Sequence, residues 1–160
     1  MSDIPLVFEP STLLSVRVKV VLVEPQHPGN IGAVARAMKN MCLTDLVLVS
    51  PQNFPSPVAT ARASGADDLL QSATVVTTLD EALESCRLVL GTTARPRELR
   101  SKVVNPRVAA RQLVEHGQNA DVAILFGREN SGLTNEELER CQSIVGIPAN
   151  PEYSSLNIAA

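Results

Sequence analysis

Polar side chains of this 160-residue chain collect in four short segments, each of which directly follows a run of apolar residues. The first segment, Glu24 to Arg36, contains Asn30, which suits a helix N-cap, and Arg36 about one and two-thirds turns further along. An arginine on a helix beside a crevice can bind a phosphate group or stabilise an oxyanion. Spacing alone gives equal weight to an exposed arginine in a surface ion pair.

Two further segments offer hydroxyl and carboxylate groups. The segment Leu90 to Arg97 places Thr92 and Thr93 straight after an apolar run, where they suit either a polar ligand edge or an ordinary turn. The segment Leu125 to Leu133 places Glu129 in the charged and polar run Arg128-Glu129-Asn130, between two glycines. Two glycines cost too much backbone entropy for a generic connector. That carboxylate could receive a proton, orient a ligand cation or pair with the neighbouring arginine.

The fourth segment, Ile147 to Asn157, combines two prolines with paired polar groups at a predicted helix start, Ser155 and Asn157. Parallel sheets bind ligands beyond the carboxyl ends of their strands. We therefore expect all four segments to converge on one sheet edge if the apolar runs form a parallel sheet.

Basic residues are concentrated in one stretch, although the whole chain carries a net charge of −3. The stretch from Arg87 to Arg111 has seven basic residues against one acid, a net of +6. Such a cluster suits contact with nucleic-acid phosphates and also suits a solvated surface. If it binds RNA, we expect the contacts at Arg95, Arg97, Arg100 and Lys102.

The elements that position these segments follow from the apolar pattern. Continuous apolar runs predict strands buried on both faces, at Val16 to Val23, Asp45 to Val49, Ala73 to Thr77, Arg87 to Leu90, Asp121 to Phe126 and Ser143 to Ile147. Helical spacing predicts helices at Asn30 to Met41, Ala59 to Leu70, Leu79 to Cys86, Pro106 to His116 and Asn135 to Cys141. Thr78 and Thr134 each precede a glutamate by three residues, which predicts capping boxes. The alternation predicts an α/β fold with a mostly parallel sheet between helices.

Length and composition favour one domain and exclude several classes of protein. Three widely spaced cysteines make a disulfide scaffold and a metal site unexpected. Residues 1 to 15 have no basic signal region and no apolar run approaches a membrane span, so we expect a cytoplasmic protein without a membrane partner. Leu156 to Ala160 begins a helix of about one turn, and we interpret the sequence as a C-terminally truncated fragment.

Three ordered motifs, GNIGAVAR, LFGRENSGL and NPEYSSLN, resemble those of the SpoU branch of the SPOUT RNA ribose methyltransferases. The surrounding sequence from Val16 to Ala160, including GTTARPR and GLTNEELERC, is similar to the TrmJ subfamily. The resemblance implies an α/β fold with a C-terminal trefoil knot, S-adenosyl-L-methionine as cofactor and a homodimer. Residues 1 to 160 would then form a single catalytic domain, with residues 1 to 15 as an extension and the knot helix incomplete after Ala160.

The resemblance also implies roles for individual residues. It assigns the reaction to Asn30, Arg36, Glu129, Ser155 and Asn157. It assigns cofactor contacts to Thr92, Thr93, Ala94, Gly127, Ile147, Ser154, Ser155 and Leu156. The chain departs from the family pattern at Cys42, where a glycine usually follows the first helix. Glycine suits the left-handed position after a helix, so we expect the cysteine to cost about 1 kcal/mol or to shift the cap.

The leading functional hypothesis is a tRNA (cytidine/uridine-32-2′-O)-methyltransferase acting on the anticodon loop. One alternative is a ribosomal RNA 2′-O-methyltransferase of the same family. Another is a non-catalytic RNA-binding module, which would not need the five reaction residues. A nucleotide-binding domain unrelated to RNA is disfavoured because the first segment lacks the G-x-G-x-x-G phosphate fingerprint.

Overall fold

A computed structural model describes residues 15–94, 102–147 and Ile158. Its strands are β1 Val18–Val23, β2 Asp45–Val49, β3 Thr74–Val76, β4 Cys86–Thr93, β5 Val103–Val104, β6 Asp121–Phe126 and β7 Ser143–Gly146. Its helices are α1 Pro28–Asn40, α2 Pro57–Ala63, α3 Asp67–Gln71, α4 Leu79–Leu83, α5 Pro106–Gly117 and α6 Asn135–Glu139. The predicted α/β class is confirmed.

The strands form one parallel sheet in the order β3-β2-β1-β6-β4-β7-β5. The apolar runs are continuous because helices cover both faces of the sheet. In β1, for example, the adjacent residues Val21 and Leu22 point to opposite faces and both are fully buried. Along β1, β2, β4 and β6 this burial leaves little freedom of register.

Different helices cover the two faces. Helices α1, α2 and α3 pack on one face around Leu22, Ile31 and Leu48, and Ile158 packs against the same cluster. Helix α5 packs through Ala109 on the part of the sheet that β4, β6 and β7 form. Helices α4 and α6 pack on the other face, where Leu138 contributes to the second cluster. None of the helices described is long and apolar enough to cross a membrane.

Helix starts follow the local sequence closely. The predicted capping box at Thr134 is confirmed, because its hydroxyl accepts from Glu137 N at 3.2 Å and the Glu137 carboxylate accepts from Thr134 N at 2.7 Å. The capping box predicted at Thr78 is only half formed. Its hydroxyl accepts from Glu81 N, but the Glu81 carboxylate meets that hydroxyl and not the backbone N–H of the cap.

Several elements differ from the sequence predictions. The predicted helix Ala59 to Leu70 divides into α2 and α3, because Ser64 and Gly65 adopt positive φ angles of 47° and 93°. Strand β4 continues through Gly91 to Thr93, so residues expected to form a loop pair with β7. Strand β5 was not predicted, since two residues are too few to show a pattern.

Candidate functional site

The four strands that precede the polar segments all end at one edge of the sheet, as predicted. Strands β1, β6, β4 and β7 lie side by side and parallel, so the chain leaves all four at the same carboxyl edge. From β1 the chain continues through α1 to β2 on one side, whereas β6 is the neighbour on the other side. This divergence of connections creates the kind of crevice in which open α/β sheets bind ligands.

The carboxylate of Glu129 joins the loops that follow β1 and β6. It accepts hydrogen bonds from Gln26 N at 2.9 Å, from His27 N at 2.9 Å and from Asn30 Nδ2 at 3.1 Å. A reciprocal contact runs from Asn130 N to Gln26 Oε1 at 3.3 Å. The sequence predicted that the loops carrying Asn30 and Glu129 reach the same sheet edge, and the structure brings the two side chains into direct contact.

These bonds set the ionisation of Glu129. Burial by itself raises the pKa of this carboxyl, but the hydrogen bonds from Gln26, His27 and Asn30 outweigh burial and leave the pKa below its usual value. Glu129 is therefore a carboxylate at neutral pH, and its oxygens are occupied by donors within the protein. This arrangement fits a role in positioning Asn30 and the β1–α1 loop better than it fits a role as proton acceptor.

The neighbouring Arg128 does not pair with Glu129. Its guanidinium forms ion pairs with Glu24, at the end of β1, and with Glu137 at 3.0 Å in α6. Hydrogen bonds to Glu137 are the largest cause of the raised pKa of Arg128, which stays charged. The side chains of Arg128 and Glu137 are only 18% and 14% exposed. No sequence pattern predicted this network, although Glu137 was recognisable as the glutamate of a capping box.

Arg36 lies on the exposed side of α1. It shares a helix face with Gly29 and Gly32, because the spacings of four and seven residues return to the same side. Among the residues that the structure describes, no carboxylate forms an ion pair with Arg36. The contacts of the described residues link Glu129 to Gln26, His27 and Asn30, and Arg36 is not part of that group.

The predicted cofactor residues of the described chain lie at neighbouring strand ends. The Thr92 hydroxyl donates to Leu125 O at 2.9 Å and ties β4 to β6, so that its proton is committed within the protein. Ile147 N donates to Thr93 O at 3.1 Å and ties β7 to β4. Ala94 is exposed at the end of β4. These contacts place the ends of β4, β6 and β7 side by side.

Gly127 permits a tight return of the loop after β6. A Cβ atom added there would lie 2.2 Å from the carbonyl carbon of Gly132 and 2.3 Å from Leu133 N. Any side chain at this position would push the two arms of the loop apart. The glycine therefore shapes the loop that carries Glu129, whatever contact it makes with a ligand.

Several predicted residues lie outside the described chain: Ser154, Ser155, Leu156, Asn157, Arg95, Arg97 and Arg100. Of the predicted RNA contacts, Lys102 is described, and its ammonium donates to Cys141 O at 3.3 Å. The basic stretch does not form one patch. Arg87 lies at the amino edge of the sheet, near the start of β4, whereas Arg107 begins α5 on the carboxyl side.

Comparison with known proteins gives a consistent assignment. The sequence model of the SpoU rRNA Methylase family matches residues 17–160. A curated relative, the tRNA (cytidine/uridine/adenosine-2′-O-)-methyltransferase TrmJ of Pseudomonas aeruginosa, is 57% identical over 145 residues, which are 90% of this chain and 56% of the relative. The chain thus spans a little over half the length of that relative.

Solved structures agree. TrmJ from Z. mobilis is similar with a TM-score of 0.82 and 44% identity, over 88% of this chain and 62% of that one. The SpoU methyltransferase AviRb from Streptomyces viridochromogenes, solved with AdoMet, shares the fold at a TM-score of 0.68 and 21% identity, over 88% of this chain and 54% of that one. With the family match covering nine-tenths of the sequence, the chain belongs to the SpoU rRNA Methylase family.

Proposed function

We propose that this chain is the catalytic domain of an S-adenosyl-L-methionine-dependent tRNA 2′-O-ribose methyltransferase. The observation that carries the proposal is the hydrogen bond from the Asn30 amide to the Glu129 carboxylate at the carboxyl edge of β1 and β6. It joins two of the three motifs at one point, next to the ends of β4 and β7. The tRNA 2′-O-methyltransferase activity named for the Pseudomonas aeruginosa relative supports the choice of substrate.

The residues at the strand ends fit the proposed cofactor. S-adenosyl-L-methionine has an adenine edge that backbone groups can read and an apolar ring face, and it has no phosphate group. The loops offer the backbone of Thr92 to Ala94, the half-buried side chain of Ile147 and the glycine turn at Gly127. We propose Ser154, Ser155 and Leu156 as further contacts. When bound, the cofactor supplies an electrophilic sulfonium methyl group.

The remaining residues prepare the ribose for attack. Transfer requires the 2′-hydroxyl oxygen to lie in line with the methyl group and to lose its proton, and much of the rate comes from this alignment. Arg36 is the proposed contact of the ribose or its phosphate. An arginine retains its proton at neutral pH, so we assign it electrostatic stabilisation of the developing alkoxide rather than proton abstraction. We propose that Asn30, positioned by Glu129, acts together with Ser155 and Asn157.

The finer parts of the proposal concern the whole molecule and the RNA. We propose the anticodon loop, with cytidine or uridine at position 32, as the target, and a homodimer with a C-terminal trefoil knot as the architecture. A cytoplasmic location follows from a tRNA substrate. The proposed RNA contacts remain Arg95, Arg97, Arg100 and Lys102, although the hydrogen bond from Lys102 to Cys141 gives that lysine a role in packing.

The test is transfer of a tritiated methyl group from labelled cofactor to unmodified tRNA, followed by digestion to nucleosides. We expect label in a 2′-O-methylated cytidine or uridine of the anticodon loop. Ribosomal RNA fragments serve as the competing substrate. Label in ribosomal RNA with none in tRNA would favour the alternative enzyme of the same family, and a methyl group on a base would contradict the proposal.

A further inference from the structure

The arginine at position 62 lies against the start of α1. A Cβ atom added to Gly29 would sit 3.6 Å from Arg62 Nη1 and 3.7 Å from its Cγ and Cζ atoms. The Arg62 side chain therefore runs along the backbone of Gly29, the residue next to Asn30. Its guanidinium reaches the first turn of α1 from α2, an element that contributes none of the residues assigned so far.

The packing of α2 on α1 holds this arginine in place. A Cβ atom at Gly32 would lie 2.1 Å from Ala59 O, 2.9 Å from Ala63 N and 2.9 Å from Arg62 Cβ. The two helix backbones are thus in direct contact at Gly32. Because the Arg62 Cβ is part of that contact, the base of the side chain is fixed relative to α1.

The charge of Arg62 is not neutralised within the part of the chain that the structure describes. Arg62 is exposed, and no carboxylate there forms an ion pair with it. The nearest catalytic-site acid, Glu129, is occupied by Gln26, His27 and Asn30. Arg36 is exposed on the same face of α1 as Gly29. Within the described residues, two cations without carboxylate partners therefore lie along α1, Arg62 beside its first turn and Arg36 about two turns further on.

We propose that Arg62 is a positioning residue that binds a phosphate of the RNA backbone next to the reacting ribose. The inference rests on the proposed function, since it takes RNA as the substrate. An arginine held beside the reaction residues, but outside the loops assigned to the cofactor, suits an anionic group that spans more than one nucleotide. Phosphate contact fixes the register of the strand, and alignment of the 2′-hydroxyl follows from that register.

The experiment compares Arg62→Ala and Arg62→Lys with the matched control Arg87→Ala. Alanine keeps the Cβ atom that touches Gly32, so the helix contact is retained. Arg87 is exposed at the opposite, amino edge of the sheet. The measurements are kcat and KM for tRNA, the affinity for S-adenosyl-L-methionine by calorimetry, and RNA binding at several salt concentrations.

We expect Arg62→Ala to raise KM for tRNA about tenfold and to reduce the slope of log affinity against log salt by about 1, because one phosphate contact is lost. Arg62→Lys should restore most of the salt slope but only part of the KM for tRNA, because lysine supplies the charge without the planar guanidinium group. Cofactor affinity should stay within about twofold of the parent protein. The control should match the parent in all measurements.

Two results would overturn the proposal. Unchanged RNA affinity and salt slope in Arg62→Ala would show that no phosphate contact exists. An equal loss of cofactor affinity would show that Arg62 shapes the cofactor loops. Failure of the proposed function is distinguishable, because a parent protein that transfers no methyl group still permits the RNA-binding comparison among the three variants.

Discussion

Glu129 shows how a single side chain can hold two loops together at a sheet edge. Its carboxylate accepts from two backbone N–H groups and one amide, so a neutral isostere would leave donors poorly paired. We expect Glu129→Gln to lower the free energy of unfolding at pH 7 by about 1–3 kcal/mol. Urea unfolding is the measurement, and Glu139→Gln, an exposed carboxylate of α6, is the control.

The lowered pKa of Glu129 also predicts that the stability difference between the parent protein and Glu129→Gln depends on pH. The pKa of Glu129 is lower in the folded protein than in the unfolded chain, so its contribution is fully present above the unfolded pKa of about 4.3. That contribution is lost as the pH falls through the folded pKa. The difference between parent and Glu129→Gln should therefore shrink on acidification below about pH 4. A difference that grows in acid would contradict the assigned ionisation.

Arg36 belongs to the proposed substrate side of the site, because it is exposed and lies on α1, outside the segments proposed to hold the cofactor. We expect Arg36→Ala to reduce methyl transfer by about 100-fold or more, which is the scale of losing one electrostatic contact to a developing charge. Affinity for S-adenosyl-L-methionine should remain near that of the parent protein. If calorimetry shows affinity falling as steeply as activity, Arg36 has a structural role and the assignment is wrong.

Cys42 occupies the left-handed position that the sequence resemblance pointed to. Its φ angle is 60°, and the bonds Leu43 N to Met38 O and Cys42 N to Lys39 O form a Schellman motif at the end of α1. We expect Cys42→Gly to stabilise the fold by about 1 kcal/mol, since glycine adopts this conformation without strain. Met41→Gly, at a φ of −100°, should give no such gain in thermal unfolding.

Residue types predicted which loops carry the site, but not how their side chains pair. Asn30 and Glu129 were both identifiable from the sequence because each sits where an apolar run gives way to polar residues. The partners of Arg128 were not, because Glu24 lies 104 residues away and the contact depends on β1 and β6 being neighbours. Sequence spacing describes local geometry, whereas this ion pair is set by strand order.

At the scale of the elements, the α1–α2 contact makes a sharp prediction. Gly32→Ala would place its Cβ 2.1 Å from Ala59 O, a clash with backbone that only a shift of the helices can relieve. We expect a loss of about 1–3 kcal/mol in unfolding free energy. Gly29→Ala is the matched control, because its Cβ meets Arg62 at an ordinary 3.6 Å. Equal effects of the two changes would show that helix propensity outweighs the packing contact.

The type of an element was predictable wherever its apolar pattern was long. Its boundaries were not predictable where two elements compete for the same residues. Cys86 fits the end of a helix by spacing but belongs to β4, so α4 stops at Leu83. The turn at Ser64 and Gly65 divides a pattern that is helical on both sides. In each case pairing or backbone conformation overrides the local period.

At the scale of the whole molecule, strand order determines which segments meet. The chain forms β1, β4, β6 and β7 at intervals of tens of residues, and the order β1-β6-β4-β7 makes their carboxyl ends neighbours. No local signal encodes that order, because it depends on packing between distant elements. The prediction of convergence followed from the parallel sheet, and the specific neighbours came from the structure.

Cofactor binding should therefore stabilise the molecule as a whole, because the proposed contacts come from three strands that the sheet holds together. A ligand that binds only the folded state at about 100 times its Kd adds about 2.7 kcal/mol. For a domain of this size that gain raises the thermal midpoint by about 5–10 °C.

We expect this shift with S-adenosyl-L-methionine and none with ATP, since the loops lack the glycine-rich phosphate fingerprint. The matched variant is Gly127→Ala, whose Cβ would force apart the two arms of the β6 loop at Gly132. That variant should lose most of the cofactor-dependent shift while it retains a cooperative transition by circular dichroism. The same shift in parent and variant would show that the β6 loop does not contribute to the cofactor site, and a shift with ATP would contradict the proposed ligand class.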